Sequence, residues 1–433
     1  MFPSVRVRAH ERGRSAPSIS DVRVGSCRVA VLISHPIPYF APLFRWLAQR
    51  PELELEVLYC SSQGARPYKD RDFRASIAWD TPLLDGYPYR FIANYWPGPL
   101  GGFFSPLNPG IVRKIRAGNY DALIVFGWAG LTNWLAFGAC EFSSVPWMVY
   151  GDSSQLCERE SSWLRAQIKR LVLGCLFRKT AAFLVTGAFN QAFYKSYGVH
   201  LSRCFPVPLA VDNEFFSRAS DQARTDKLGI RAQYGIPPET MLLLFVGKLI
   251  PRKRPQDLLA VLGLVQPTAP ELAVAFAGTG PMLPELQAAV VRRGLRNVFF
   301  LGFKNQSELA PIYAMADIFV LPSERDPKPL VANEAMACGL PVVVSDRTGL
   351  WGPGDLVRHG ENGFVYPVGD VSALAMLVLK LASDPVLRSS MGVRSREIIR
   401  DFSYEQCVDG ILKALDFVTG RDRALTHAPQ KST

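Results

Sequence analysis

Three short runs in the second half of this chain have the residue types and spacing to handle a diphosphate. In the first, Phe245 to Arg254, Gly247 ends an apolar stretch and Lys248 and Lys253 follow, five residues apart. Fixed ammonium groups beside a close-approaching backbone offset the charge of a diphosphate and stabilise it as a leaving group. The alternative is a solvated basic loop ahead of a helix. In the second, Phe276 to Pro281, Gly278 and Gly280 form a turn past which a nucleotide backbone can run, or a tight turn needed only for packing. The third, Pro322 to Val342, puts Asp326 in a loop and Glu334 in the helical pattern after it. Asp326 would accept hydrogen bonds from sugar hydroxyls, and Glu334 would take both hydroxyls of a ribose unless it only caps or pairs locally.

The first half offers fewer such groups. His35 follows the first apolar run and faces the expected cleft, where it would polarise an acceptor or a leaving phosphate, or simply pack against Pro36 and Tyr39. Asp152 is its best placed acid, with a helix N-cap role equally open. Tyr39 and Trp128 would stack on sugar rings or belong to the core. The run Arg165 to Lys179 reads as a basic, apolar helix, suited to an anionic membrane carrying a lipid-linked acceptor, or else buried with snorkelling cations.

The elements that position these groups follow from periodicity. Short apolar runs alternate with helical patterns from end to end, the signature of parallel α/β units. In the first half, strands are expected at 28–33, 53–59, 122–126, 146–150 and 182–186. The pattern restarts with strands at 242–246, 273–277, 298–301, 318–321 and 341–345, separated by helices. Residues 70–109, rich in Pro, Gly and aromatics, read as ordered loops on the cleft side. The uncharged stretch Ala122 to Cys140 is long enough to cross a bilayer, but Gly127 and Gly130 break it, so strand, loop and helix start describe it better. The expected division is a basic tail at 1–26, a Rossmann-like domain at 27–206, a second Rossmann-like domain at 207–402, a helix at 403–420 returning to the first domain, and a tail at 421–433.

A chain of 433 residues with 48% hydrophobic and 20% charged composition can bury large cores. Its formal charge of +11 favours anionic partners, but the positive charge is dispersed and no nucleic-acid motif accompanies it, so no nucleic acid is expected. Eight cysteines without a CxxC pair or zinc spacing fit a reducing cytosol and no metal site. The polar, basic N-terminus lacks a signal-peptide core, so a cytoplasmic protein, peripheral at most at the inner face of a membrane, is expected.

On these motifs the stretch from Leu242 to Asp370 resembles the retaining GT-B enzymes of glycosyltransferase family 4. Gly247, Lys248 and Lys253 match the family's strand-Gly-Arg/Lys pattern, Gly278 and Gly280 its glycine turn, and Leu301 to Lys304 the stretch whose backbone reads the nucleobase. Asp326 and Glu334 fall on its two glutamates eight positions apart, and Gly360 to Asp370 is similar as well. Weaker similarity extends over residues 28–418.

The resemblance implies two Rossmann-like domains facing each other across a cleft, and retaining transfer from a nucleotide-diphosphate sugar to a glycan or lipid-linked acceptor in cell-surface polysaccharide or glycoconjugate synthesis. Lys248, Lys253, Asp326 and His35 would be catalytic. Gly247, Gly278, Gly280, Phe303, Lys304, Lys328, Leu330, Val331 and Glu334 would hold the donor, and Tyr39, Trp128 and Asp152 would meet the acceptor. The lysines take a metal's part, so neither metal nor cofactor is implied. The chain departs from the family at Asp326 to Pro329, where the acid is one methylene shorter, Lys328 adds a charge and Pro329 removes an N–H. An epimerase acting on a nucleotide sugar and a non-catalytic binder of nucleotide sugar or glycan are the alternatives.

Overall fold

The structure, a computed structural model, describes residues 26–421 except 71, 97, 99, 155 and 157–162. Apart from Ser26 and Arg421, the expected tails lie outside these residues.

The first half contributes strands β1 (Cys27–Ile33), β2 (Leu53–Tyr59), β3 (Tyr68–Asp70), β4 (Ala75–Ile77), β5 (Tyr89–Phe91), β6 (Ala122–Phe126), β7 (Trp147–Tyr150), β8 (Ala182–Val185) and β9 (Cys204–Pro206). Its helices are α1 (Ala41–Ala48), α2 (Gly110–Ala117), α3 (Leu131–Phe142), α4 (Trp163–Lys179) and α5 (Ala188–Ser196). Seven strands form one parallel sheet in the order β5-β2-β1-β6-β7-β8-β9. The uncharged stretch is β6, a turn at Gly127 (φ 74°) and α3. Among the described residues no helix is long and apolar enough to cross a membrane.

After α6 (Asn213–Arg224) and α7 (Lys227–Gln233) come β10 (Met241–Val246), α8 (Gln256–Val265), β11 (Leu272–Ala277), α9 (Leu283–Arg292), β12 (Val298–Gly302), α10 (Gln306–Met315), β13 (Ile318–Leu321), α11 (Leu330–Ala337), β14 (Val342–Ser345) and β15 (Gly363–Tyr366). These strands make a second parallel sheet, ordered β12-β11-β10-β13-β14-β15. Its central strands are uniformly apolar because helices cover both faces: every residue of β11 is buried, and so is β10 from Leu242 onward. Two Rossmann-like sheets thus face each other in the GT-B arrangement, each with its own core.

Helices α12 (Val371–Ser383), α13 (Pro385–Ile399) and α14 (Tyr404–Thr419) close the chain. The last returns to the first sheet, where Tyr404, Val408, Ile411 and Leu415 join its core. A Cβ at Gly410 would lie 1.9 Å from the Pro206 carbonyl oxygen, so this close crossing needs glycine.

Residues 70–109 are not only loops. β3 and β4 pair as an antiparallel hairpin, and β5 extends the first sheet. Strands of three residues are too short for alternation to reveal them.

Candidate active site

In each sheet the strand order reverses beside one strand, β1 in the first and β10 in the second. Open α/β sheets bind ligands in the crevice outside the carboxyl ends of the strands at such a switch point. The candidate residues gather there because they sit in the loops that follow those strands.

On the second sheet three loops clasp one another. Gly247 N–H donates to Ala277 O at 2.9 Å, Gly278 N–H to Gly302 O at 2.8 Å, and Leu249 N–H to Thr279 O at 3.0 Å. A Cβ on Gly278 would meet Gly247 O at 1.9 Å, and one on Gly280 would meet Leu249 O at 2.5 Å. Both glycines are therefore required by loop packing, whatever else passes them. The clasp holds Lys253, in a 3-10 turn over Pro251–Lys253, so that its ammonium pairs with the Asp326 carboxylate in the loop after β13. Only about a tenth of either side chain is exposed (11% and 9%).

Lys248 is paired with the first half. Its ammonium is 3.2 Å from both Asp70 and Asp72 carboxylates and 4.9 Å from the centre of the Phe73 ring, all in the β3–β4 hairpin of the first half. Asp70 also accepts from the N–H groups of Asp72 and Phe73 at 2.9 Å, which fixes the turn. The same segment continues across the second sheet. Phe303 lies against Phe73 and Trp79, the Asn305 amide donates to Ala78 O at 2.6 Å, and Ser307 N–H donates to Asp80 at 3.2 Å. Lys304 stays local, 3.8 Å from Glu308 and 5.0 Å from the Tyr234 ring centre.

Glu334, on the second turn of α11, is fully buried. It accepts from the Tyr39 hydroxyl of the first half at 3.1 Å and from Tyr313 at 2.7 Å. Burial pushes its carboxyl up to about 7, against the two phenol hydrogen bonds. Tyr39 is held in turn through its carbonyl, which accepts from Tyr404 of α14 at 3.0 Å. Val331 O accepts a second contact from Tyr313 at 3.2 Å.

Lys328 is not beside the other two lysines. It is buried in an ion pair with Asp355, which also accepts from Ala188 N–H, at the start of α5 in the first half, at 3.2 Å. Burial pushes the Lys328 ammonium down and Asp355 opposes this. A Cβ at Gly187 would lie 2.5 Å from its Nζ, so the packing admits no side chain there.

Two cavities lie on the first sheet's side of the cleft. One, of about 370 Å³, is lined by Ser34, His35, Cys60, Gly127 and Asn133. The His35 ring shares a hydrogen bond with Ser34 Oγ at 2.8 Å, and burial lowers its pKa to about 4, leaving it neutral at physiological pH. The other, of about 350 Å³, lies between the two halves and is lined by Tyr39, Asp152, Thr186, Lys328 and Leu330. Burial raises the Asp152 carboxyl, and the charge of Asp326 across the cleft adds to it. Tyr150 Oη and Thr186 Oγ1 also border this cavity and are buried without a hydrogen-bond partner, so they can receive a polar ligand. Trp128 instead stacks on Phe193, at 5.9 Å and 4°, with its edge contacts in the first core.

The expected charged groups thus separate: Lys253 with Asp326, Lys248 with hairpin acids, Glu334 with two tyrosines, and Lys328 with Asp355. Asp70, Asp72, Tyr313 and Asp355 escaped the sequence reading. Only the Asp-x-Asp spacing of the first two gave any signal. Among the described residues no group of three or more His, Cys, Asp or Glu could hold a metal ion, and the seven described cysteines are free thiols.

Residues 226–398 match the family of glycosyl transferases group 1. The fold is GT-B, and this segment is similar to the group 1 enzymes. Over 422 residues, 89% of this chain and 90% of the relative, the protein is 25% identical to D-inositol 3-phosphate glycosyltransferase of Rhodococcus erythropolis. It is 30% identical to N-acetyl-alpha-D-glucosaminyl L-malate synthase of Bacillus anthracis over 184 residues, 42% of this chain and 46% of that one. The fold is similar to Anabaena HepE in complex with UDP and glucose, with a TM-score of 0.67, 18% identity, and coverage of 90% of this chain and 99% of that one. Sucrose-phosphate synthase of Thermosynechococcus elongatus gives a TM-score of 0.69 at 20% identity, covering 92% and 100%. The matched segment contains Lys248, Lys253, Asp326 and Glu334.

Proposed function

We propose that this protein transfers a glycosyl group from a nucleotide-diphosphate sugar, held at the carboxyl ends of β10 and β13, to a hydroxyl presented by the first sheet. The observation that carries this is the pairing of Lys253 with Asp326 at the switch point of the second sheet. Lys253 and Lys248 hold the diphosphate and offset the charge that grows on it as it leaves. Asp326 orients the sugar hydroxyls, and the carboxylate of Glu334 receives the ribose hydroxyls after Tyr39 withdraws.

In the reaction the bond from the anomeric carbon to the phosphate oxygen breaks and the acceptor oxygen bonds to the same face of that carbon. The acceptor's proton passes to the departing diphosphate, which leaves as nucleoside diphosphate. Retention and placement in family 4 rest on the motif resemblance. The two lysines supply the charge that a metal supplies elsewhere, so the proposed chemistry needs no metal ion or other cofactor. A glycan or lipid-linked acceptor, and a role in cell-surface polysaccharide or glycoconjugate synthesis at the cytoplasmic side, complete the proposal. UDP-sugars are the first donors to examine, because a similar fold binds UDP and UDP-glucose.

A thermal-shift series with UDP-, GDP- and ADP-sugars tests donor binding. A donor at a hundred times its Kd stabilises by about 2.7 kcal/mol, so one of them should raise Tm clearly, and no response to any would contradict the proposal. The internal pairing of both lysines and of Glu334 favours one second reading, a binder that never turns over. Slow hydrolysis of the bound donor would dismiss it, and so would transfer to any acceptor.

A further inference from the structure

Helix α4 carries two apolar faces, and the core uses only one. Leu173, Leu176 and Phe177, at i, i+3 and i+4, are buried against the first sheet. Leu164, Ile168, Leu171, Val172 and Cys175 follow at i, i+4, i+7, i+8 and i+11, a continuous stripe on another side of the helix. That stripe faces solvent, with Leu164 60%, Ile168 54% and Leu171 68% exposed. Trp163, at the start of the helix, is 74% exposed. An apolar stripe of this length left in water is an interaction surface.

Its flanks identify the partner. Between Trp163 and Lys179 the helix has five cations, Arg165, Lys169, Arg170, Arg178 and Lys179, and no acid; all five are exposed, and Lys179 pairs with Glu141 of α3. By their helical angles Arg165 sits at one edge of the stripe and Arg178 at the other. A second copy docking through the same face would set this charge against itself, whereas an anionic bilayer complements it. At 17 residues the helix is about 25 Å long and too charged to span a bilayer, so it can only lie in the interfacial plane.

We propose that α4 docks this protein onto an anionic membrane surface, with Leu164, Ile168 and Leu171 entering the headgroup boundary and the flanking cations meeting lipid phosphates. Docking needs no turnover, so it stands independently of the proposed transfer reaction. It would present the first half of the molecule to acceptors carried in the bilayer.

Co-sedimentation of the full chain with vesicles of phosphatidylcholine alone, or mixed with phosphatidylglycerol, tests this. The expected result is binding at least about tenfold tighter to the mixed vesicles, weakened by salt, since each surface cation adds roughly 1 kcal/mol. Ile168→Glu with Leu171→Glu should abolish binding, and Arg165→Ala with Arg178→Ala should remove most of its lipid selectivity, both with unchanged Tm. Failure to bind mixed vesicles, or equal binding to both kinds, would overturn the proposal. Light scattering that finds a dimer of the native chain, made monomeric by the Glu variant, would also overturn it by assigning the stripe to a second copy.

Discussion

Glu334 has no exposed surface, and two phenols aim their hydroxyls at it, one from each half of the molecule. Burial raises its carboxyl from the ordinary 4.5 to about 7, so the folded protein favours the protonated form. Its contribution to stability is fully present below the ordinary value and is lost as the pH rises through about 7. The Tm advantage of the native chain over Glu334→Gln should therefore shrink between about pH 5 and pH 8, as differential scanning fluorimetry would show. Ribose hydroxyls donate to a carboxylate better than to an acid, so nucleoside diphosphate affinity should rise over the same range in the native chain and stay flatter in the variant. The placement of Glu334 on a helix after a strand and a loop was legible because it depends only on elements close together in sequence. Its partner Tyr39 was not, since 295 residues separate them and no local pattern couples them.

The β3–β4 hairpin is the element that most changes the account. Asp70 and Asp72 occupy Lys248, and Phe73 and Trp79 cover Phe303, so the segment rests on the surface assigned to the donor. A diphosphate must take Lys248 from two carboxylates. Lys248 is about a quarter exposed (27%) and Asp72 about half (51%), so the pairs are worth about 1 kcal/mol. Asp70→Asn with Asp72→Asn should tighten nucleoside diphosphate binding about fivefold with little change in Tm. Weaker binding would mean that the hairpin helps hold the donor. Sequence periodicity exposed the long strands of both sheets, which carry apolar runs, but three-residue strands leave no period to read. The meaning of the acidic turn depends on a lysine 178 residues away.

Across the whole molecule, contacts that join the halves include the hairpin, Tyr39 on Glu334, α14 returning to the first sheet, and Asp355, which accepts from Ala188 N–H of α5 and is paired with Lys328. The Lys328–Asp355 ion pair is closely enclosed, with side chains 5% and 1% exposed. Removing one partner, as in Lys328→Met or Asp355→Ala, leaves a buried charge and should cost about 3–5 kcal/mol. Lys328→Met with Asp355→Leu should cost much less, and a denaturation series would compare them. Two Rossmann-like halves could be read from the restart of the α/β pattern near Leu242. The pin between them could not, because Lys328 reads as one more cation in a donor loop until its neighbours in space are known.

The central claim is that Lys248 and Lys253 hold a diphosphate at the switch point of the second sheet. Calorimetric titration with UDP, GDP and ADP of the native chain, Lys248→Ala and Lys253→Ala, with exposed Lys413→Ala as control, tests it most directly. At least one nucleotide should bind the native chain and the control equally, and bind each of the other two variants at least about tenfold more weakly, for a charge-assisted contact of about 1.5–3 kcal/mol. Undiminished binding in Lys253→Ala would contradict the account.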